Sequence, residues 1–209
     1  LKDPITTTSF IDRFLVSAQA YSIKTILIFN KFDTYKKNEI KNLNETINIY
    51  KKIGYQCLTL STKDLFNIKT LKQLIEGKTI MLGGHSGVGK TSIVNMLKPS
   101  LNLKVSSISQ HSQGKHTTTY AELFELDSET ELIDTPGIKG FGLINYDNYE
   151  LGDYFPEFLS NKDGCKFSNC MHLNEPNCKI KYLVENGDIS QSRYKSYLQI
   201  LDSNDLKHR

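Results

Sequence analysis

Residues 84–91 read Gly84-His85-Ser86-Gly87-Val88-Gly89-Lys90-Thr91 and fit the spacing G-x-x-x-x-G-K-[ST]. The apolar run "KTIMLGG" precedes them and a helical pattern follows, which is the context this motif needs. Glycines at these positions let backbone N–H groups wrap a phosphate, and a helix N-terminus behind them adds partial positive charge. Lys90 would reach the β- and γ-phosphates, and the Thr91 hydroxyl would ligate Mg²⁺. Further on, "ELIDTPG" supplies Asp134 at a strand end, suited to hold the hydration shell of Mg²⁺, and Gly137, whose N–H can meet a γ-phosphate. Alone, D-x-P-G is a common turn; about forty residues after a phosphate loop it reads as a working part. Between the two lies "QGKHTTTY", where a threonine can complete the Mg²⁺ shell when triphosphate is bound. Spacing selects Thr117 and Thr118 and does not choose between them.

A second constellation stands earlier in the chain. Asn30-Lys31-Phe32-Asp33 closes the apolar run "TILIFN". A carboxylate at Asp33 can accept from N1–H and the exocyclic amine of guanine together, a pairing adenine cannot offer. Asn30 and the stem of Lys31 would hold the loop and flank the base. Ser61, Thr62 and Lys63 end the next apolar run and resemble an auxiliary loop that backs the base. A four-residue match is weak by itself; its place at a strand end, the ligand edge of an open α/β sheet, strengthens it. In GTP-binding proteins such base-reading segments usually follow the phosphate loop, whereas here they precede it. A sheet whose ligand loops share one edge tolerates that rotation of the chain, as circular permutation does generally. The reading is a circularly permuted P-loop GTPase that takes GTP or GDP with Mg²⁺. An ATP-using P-loop enzyme remains open only if "NKFD" is accidental.

A third cluster is Cys165-x4-Cys170-x-His172-x5-Cys178. Three thiolates and an imidazole suit one tetrahedral Zn²⁺ per chain, and four protein ligands leave no position for a catalytic water, so the site is expected to be structural. Without an export signal, such compact spacing points to a metal rather than to disulfides. Cys57, alone in "YQCLTL", reads as an inert core thiol.

These groups need elements to position them. "SFIDRFLVSAQA" places Phe10, Ile11, Phe14, Leu15 and Ala18 on one helical face, with Thr8 or Ser9 as cap. "KTILIFN", "YQCLTL", "KTIMLGG", "TTYAELFEL" and "TELIDT" read as strands, the last two joined by the polar turn "DSE". Helical patterns lie at 36–52 and 68–77, and a third follows the phosphate loop through about Leu97. Alternation of this kind implies an α/β fold with a mainly parallel sheet. "YELGDYFPEF" reads as an aromatic loop, and "DISQSRYKSYLQILDSN" as an amphipathic closing helix. The expected domains are a GTPase domain over 1–147 and a small, mostly helical zinc-binding domain over 148–209. The chain has 209 residues, is 38% hydrophobic and carries a net charge of +3, an ordinary globular balance that does not single out a polyanion partner. The segment 150–209 holds 8 basic and 9 acidic side chains, so it forms no basic patch. No apolar run reaches the length of a membrane span, and no signal-peptide layout opens the chain.

Taken together, "FIDRFLVSAQA", "GHSGVGKTSIVNML", "GKHTTT", "IDTPGIKGFGL", "YFPEF", the Cys/His cluster and "RYKSYLQIL" resemble the ribosome small subunit-dependent GTPase A family, over nearly the whole chain. The resemblance implies GTP hydrolysis that serves late maturation of the 30S subunit, with 16S rRNA contacts, in the cytoplasm and as a monomer. It also implies an RNA-binding OB-fold ahead of the first helix; the chain begins there with Leu1, so a missing N-terminal portion is expected. Ile138 stands where many GTPases keep a water-orienting glutamine, so unassisted hydrolysis should be slow and the 30S subunit should stimulate it. His116 could be swung onto the attacking water, or could merely meet rRNA or solvent. The competing class is a nucleotide-gated rRNA-binding module in which hydrolysis is incidental. The rotated order also sets the segment after Asp134 next to the zinc module in the chain, where that module is expected to feel the γ-phosphate.

Overall fold

The computed structural model describes residues 1–103, 122–134 and 147–205. Helix α1 (Thr8–Ala20) is capped by Thr7, whose Oγ1 accepts from the Phe10 N–H at 3.2 Å. The cap falls one residue before the expected Thr8, because Thr7 is the last residue with extended backbone and so aims its hydroxyl into the first turn. Strand β1 (Ile26–Phe29), helix α2 (Lys37–Lys52), strand β2 (Gln56–Thr59), helix α3 (Ile68–Ile75), strand β3 (Thr79–Met81) and helix α4 (Lys90–Leu97) follow in the alternation read from the sequence. Strands β4 (Glu122–Glu125) and β5 (Glu131–Asp134) form a hairpin. Its turn is held by Asp127, whose Oδ1 accepts from the N–H groups of Glu129 (3.0 Å) and Thr130 (2.8 Å).

Strand pairing is parallel for β1–β2 (Ile26 opposite Gln56, Phe29 opposite Thr59) and for β3–β5 (Thr79 opposite Glu131, Met81 opposite Ile133). Only β4, added antiparallel to β5, departs from that direction among the described strands. The ladders are separate, in the orders β1-β2 and β3-β5-β4. Their side chains nevertheless enter one core: Leu58 from β2, Leu71 from α3, Val94 from α4 and Leu132 from β5 are all buried together. Such side chains contribute roughly 1.5–3 kcal/mol each when buried.

Helices α5 (Pro156–Leu159), α6 (Lys179–Glu185) and α7 (Gln191–Asp205) complete the described chain, with 3₁₀ turns at Asn148–Tyr154 and Lys162–Gly164. The stretch read as an aromatic loop is thus mostly helical. Pro156 presets the backbone at the start of α5, and the apolar residues of this stretch face inward: Leu151, Phe155 and Phe158 are fully buried. They share a core with Val16 of α1, Ile180 of α6 and Tyr197 of α7.

By its contacts the chain divides into two compact units. The first holds Leu1–Ile5, Ile26–Ile47 and the described residues of Gln56–Gly140; the second holds Thr6–Thr25, Asn48–Tyr55 and the described residues of Phe141–Arg209. Helix α1 and the segment Asn48–Tyr55, placed with residues 1–147 on sequence alone, therefore fall with the C-terminal residues. Val16 of α1 is buried there with Leu151, Phe155 and Tyr197, and a buried ion network joins the same elements. Arg193 of α7 donates from Nη1 to Asp12 Oδ1 (2.7 Å) and, in a fork, from Nε and Nη2 to Glu157 Oε1 and Oε2 (2.7 and 3.1 Å). The Tyr50 hydroxyl donates to Asp12 Oδ1 at 2.9 Å. Among the described residues no helix is long and apolar enough to cross a membrane.

Candidate nucleotide and metal sites

In the first unit the chain leaves β3 into a loop whose glycines adopt backbone that side chains resist. Gly87 has φ +81 and Gly89 φ +96. The loop closes on α4, whose first turn carries Lys90 and the buried Thr91. The Lys90 ammonium folds over the loop and donates to the carbonyls of Gly84 (2.7 Å) and His85 (2.8 Å). Ser86 and Gly87 stand exposed at the tip, with Gly84, His85, Val88 and Ser92 half-buried around them. N–H groups at a helix start, beside an ammonium, form a cradle for phosphate oxygens. Strand β5 runs parallel to β3 with Ile133 opposite Met81, so Asp134 falls at the end of β5 on the edge where the loop begins.

The residues expected to read the base come to the same loop. Asn30, directly after β1, donates from Nδ2 to the Val88 carbonyl at 3.0 Å, across a separation of 58 residues. Its Oδ1 is buried and accepts no hydrogen bond from any described protein group. The approach is so close that a Cβ on Gly89 would lie 2.3 Å from Asn30 Nδ2. Lys31 takes a left-handed backbone (φ 61, ψ 35) and turns the chain into the 3₁₀ segment Phe32–Thr34. Phe32 N–H donates to the Leu60 carbonyl and Leu60 N–H to the Phe29 carbonyl, both at 2.9 Å, which stitches this loop to the one after β2. There Ser61, 1% exposed, donates from Oγ to Asp33 Oδ1 (2.8 Å) and accepts from the Asp64 N–H (3.1 Å). The hydroxyl proton is thus committed to Asp33 and fixes one oxygen of an exposed carboxylate. Thr62 is half-buried and Lys63 exposed beside it. His116, Thr117, Thr118, Gly137 and Ile138 lie outside the described residues, as does the side chain of Asp134.

In the second unit Cys165, Cys170, His172 and Cys178 bring one ligand atom each within 4.8 Å of the others. His172 Nδ1 lies 3.7 Å from Cys165 Sγ and 3.4 Å from Cys178 Sγ, and those two sulfurs are 4.0 Å apart. Tetrahedral bonds of zinc length would separate two sulfurs by about 3.8 Å and sulfur from nitrogen by about 3.5 Å. His172 Nδ1 and the Cys165 and Cys178 sulfurs therefore stand near the spacing of a four-coordinate cation's ligands, with Cys170 Sγ within 4.8 Å of each. Burial pushes the Cys170 and Cys178 thiols up and lowers His172, so the neutral imidazole is ready to ligate, while the thiolates need a cation to persist.

Several groups supporting this cluster were missed in the sequence. Glu175 accepts from the N–H groups of Met171 (2.8 Å) and Leu173 (2.7 Å), on either side of His172. The hydroxyls of Tyr194 and Tyr197, one turn apart on α7, donate to the carbonyls of His172 and Met171, each at 2.6 Å. They hold His172 in its left-handed backbone (φ 59) while the Phe158 ring stands edge-on, centroids 5.6 Å apart. A Glu three residues after a ligand was the one available signal. The tyrosines act from another element, and nothing in linear spacing points to them.

Comparison with known proteins agrees with this geometry. A sequence model of the family described as RsgA GTPase matches residues 1–144. The small ribosomal subunit biogenesis GTPase RsgA of Christiangramia forsetii is 50% identical over 210 residues, covering 100% of this chain and 67% of that protein. The crystal structure of YjeQ from Thermotoga maritima superposes with a TM-score of 0.82 at 34% identity, over 96% of this chain and 66% of that one. YloQ, described as a circularly permuted GTPase, gives a TM-score of 0.78 at 29% identity, over 98% and 65%. The chain thus spans about two thirds of the length of these relatives. With Asn30 ahead of the glycine-rich loop in sequence and bonded to it in space, the chain belongs to the RsgA GTPase family and has its circularly permuted P-loop fold, followed by a module carrying a Cys₃His metal-binding group.

Proposed function

We propose that this chain binds GTP with Mg²⁺ and hydrolyses it to GDP and phosphate, in the service of small ribosomal subunit biogenesis. The observation that carries the reading is the Asn30–Val88 hydrogen bond, beside an Asp33 carboxylate oriented by Ser61. This bond joins the segments proposed to read base and phosphate, and a buried carboxamide oxygen is left for a further donor. Asp33 would take the two guanine donors, Lys31 would flank the base, and Thr62 and Lys63 would line the auxiliary loop. Lys90 and the amides of Gly87–Thr91 would stabilise charge on the transferring phosphoryl group as water attacks in line. Thr91, Asp134 through water, and Thr117 or Thr118 would hold Mg²⁺, which when bound would offset the negative charge of the phosphates. Gly137 would meet the γ-phosphate. With Ile138 unable to orient water, turnover alone is slow, and contact with the small subunit and its 16S rRNA is what accelerates it, with His116 as a candidate for the missing group.

Cys165, Cys170, His172 and Cys178 would hold one structural Zn²⁺, with the chain acting as a cytoplasmic monomer. The fully thiolate-and-imidazole donor set supports zinc over harder cations. Ile138 also favours a second reading, a nucleotide-gated rRNA-binding module in which hydrolysis is incidental. Single-turnover hydrolysis with and without small subunits separates the two. Acceleration of the chemical step supports the enzyme; nucleotide-dependent docking with an unchanged rate supports the module. Equal affinity for ATP and GTP would defeat both.

A further inference from the structure

The first five residues belong by their contacts to the first unit, although helix α1, which they lead into, does not. Lys2 and Asp3 direct polar contacts to the loop that carries Lys31 and Asp33 and to the start of α2. Lys2 Nζ donates to the Thr34 carbonyl (3.0 Å) and to Glu39 Oε2 (2.7 Å). Lys2 N–H donates to the Tyr35 hydroxyl (3.3 Å), and its ammonium lies 5.8 Å from the Tyr35 ring centre. Lys2 thus anchors the segment just past Asp33, and Glu39, held below the usual carboxylate range by that lysine, is ionised to receive it. The next residue turns back onto the base-flanking side chain. Lys31 Nζ donates to the Asp3 carbonyl (3.1 Å) and lies 3.4 Å from Asp3 Oδ2.

We propose that Asp3 is a positioning residue for Lys31, and that through it the segment carrying Lys2 and Asp3 supports nucleotide binding at the guanine site. The inference rests on the guanine-nucleotide reading above. A lysine has a flexible four-carbon stem, and holding it against a base costs rotamer entropy unless its tip is already tethered. Here the backbone is fixed in the left-handed region, with the Lys31 carbonyl accepting from both N–H and Oγ1 of Thr34 (3.0 and 2.8 Å). Asp3 fixes the other end. Backbone and ammonium being pinned, the methylenes between them present one preset flank to the base. Asp3 itself is exposed, which sets the scale: such pairs change affinity by about two- to fivefold, less in high salt.

The test is a double-mutant cycle on the whole chain, read as dissociation constants for N-methylanthraniloyl-GDP, with the ADP analogue as the selectivity control. Asp3→Ala should weaken GDP binding about two- to fivefold, Asp3→Lys more, and Asp3→Glu should restore it. In a Lys31→Ala background, Asp3→Ala should change nothing. A merely structural role for Asp3 would instead give the same loss in both backgrounds, and that additivity would overturn the proposal. Unchanged or tighter binding by Asp3→Ala alone would also overturn it. Failure of the parent reading looks different: the unmodified chain would then bind the ADP and GDP analogues alike, which brings both down.

Discussion

Replacing Arg193 by Met removes the cation that, among the described residues, pairs two buried carboxylates. Arg193 is 1% exposed, Asp12 0% and Glu157 7%. The guanidinium supplies three hydrogen bonds to them and lies 4.5 Å from the Phe155 ring centre. Burial alone would lower the Arg193 pKa; Asp12 and Glu157 overcome that and hold it above its ordinary value. For Asp12 the balance is opposite: burial outweighs Arg193 and raises its carboxyl. Breaking such an arrangement by removing one partner costs about 3–5 kcal/mol, because the remaining charges stay buried without a counter-ion. Loss of the ring contact adds about 0.5–2 kcal/mol. Against a typical total of about 5–15 kcal/mol this is a severe change, and it should fall on the unit that carries the metal cluster.

The sign of its pH dependence follows from Asp12. A carboxyl raised in the folded state adds stability below its unfolded pKa, and that contribution is lost as pH rises through the folded value. Without Arg193 the folded value climbs further, so the cost of Arg193→Met should be smaller at pH 5 than at pH 8. Urea unfolding followed by circular dichroism and by tyrosine fluorescence measures both, with native and variant protein compared at each pH. The apolar triple change Asp12→Leu, Arg193→Met and Glu157→Leu should recover most of the loss, since well-packed apolar replacements of buried ion networks are often neutral. A loss below about 1 kcal/mol, or one equal at pH 5 and pH 8, would refute this reasoning.

Two other perturbations address the sites directly. Gly89→Ala places a Cβ 2.3 Å from Asn30 Nδ2 at φ +96, so the Asn30–Val88 bond must break. Guanine-nucleotide affinity should fall at least about tenfold with a stability cost of about 1–3 kcal/mol, measured by fluorescence titration and urea unfolding; native affinity would mean the loops are not joined as described. Metal analysis should find about one zinc per chain, and Cys170→Ser should release it and destabilise the C-terminal residues while guanine-nucleotide binding persists. A metal-free protein folded as stably as before would exclude a structural ion.

The parts legible in the sequence are those that act as linear motifs. The phosphate loop, Asn30 to Asp33 and the four metal ligands each carry their chemistry within a few consecutive residues, and strand and helix periodicity set them in place. Asp12 was not legible, because an aspartate amid an apolar helical face looks like a solvated interruption until Arg193, 181 residues away, comes to meet it. The same limit hid Tyr194 and Tyr197 behind the metal cluster and Asp3 behind Lys31: each serves a group on another element. Residues 149–158 were misread for a local reason. Their aromatic, proline-containing pattern suits a loop, yet burial of Leu151, Phe155 and Phe158 draws it into tight helical turns. The membership of α1 in the second unit follows from the same buried contacts, which no boundary placed by composition could register.

Initial rates of GTP and ATP hydrolysis, with and without purified small ribosomal subunits, for the unmodified chain and Asp33→Asn, test the central claim. The account predicts GTP turnover that is slow alone and rises with subunits, negligible ATP turnover, and a loss of guanine preference in Asp33→Asn of at least about a hundredfold, as expected where a paired hydrogen-bonding group is removed. Equal turnover of ATP and GTP, indifferent to Asp33→Asn, would contradict it.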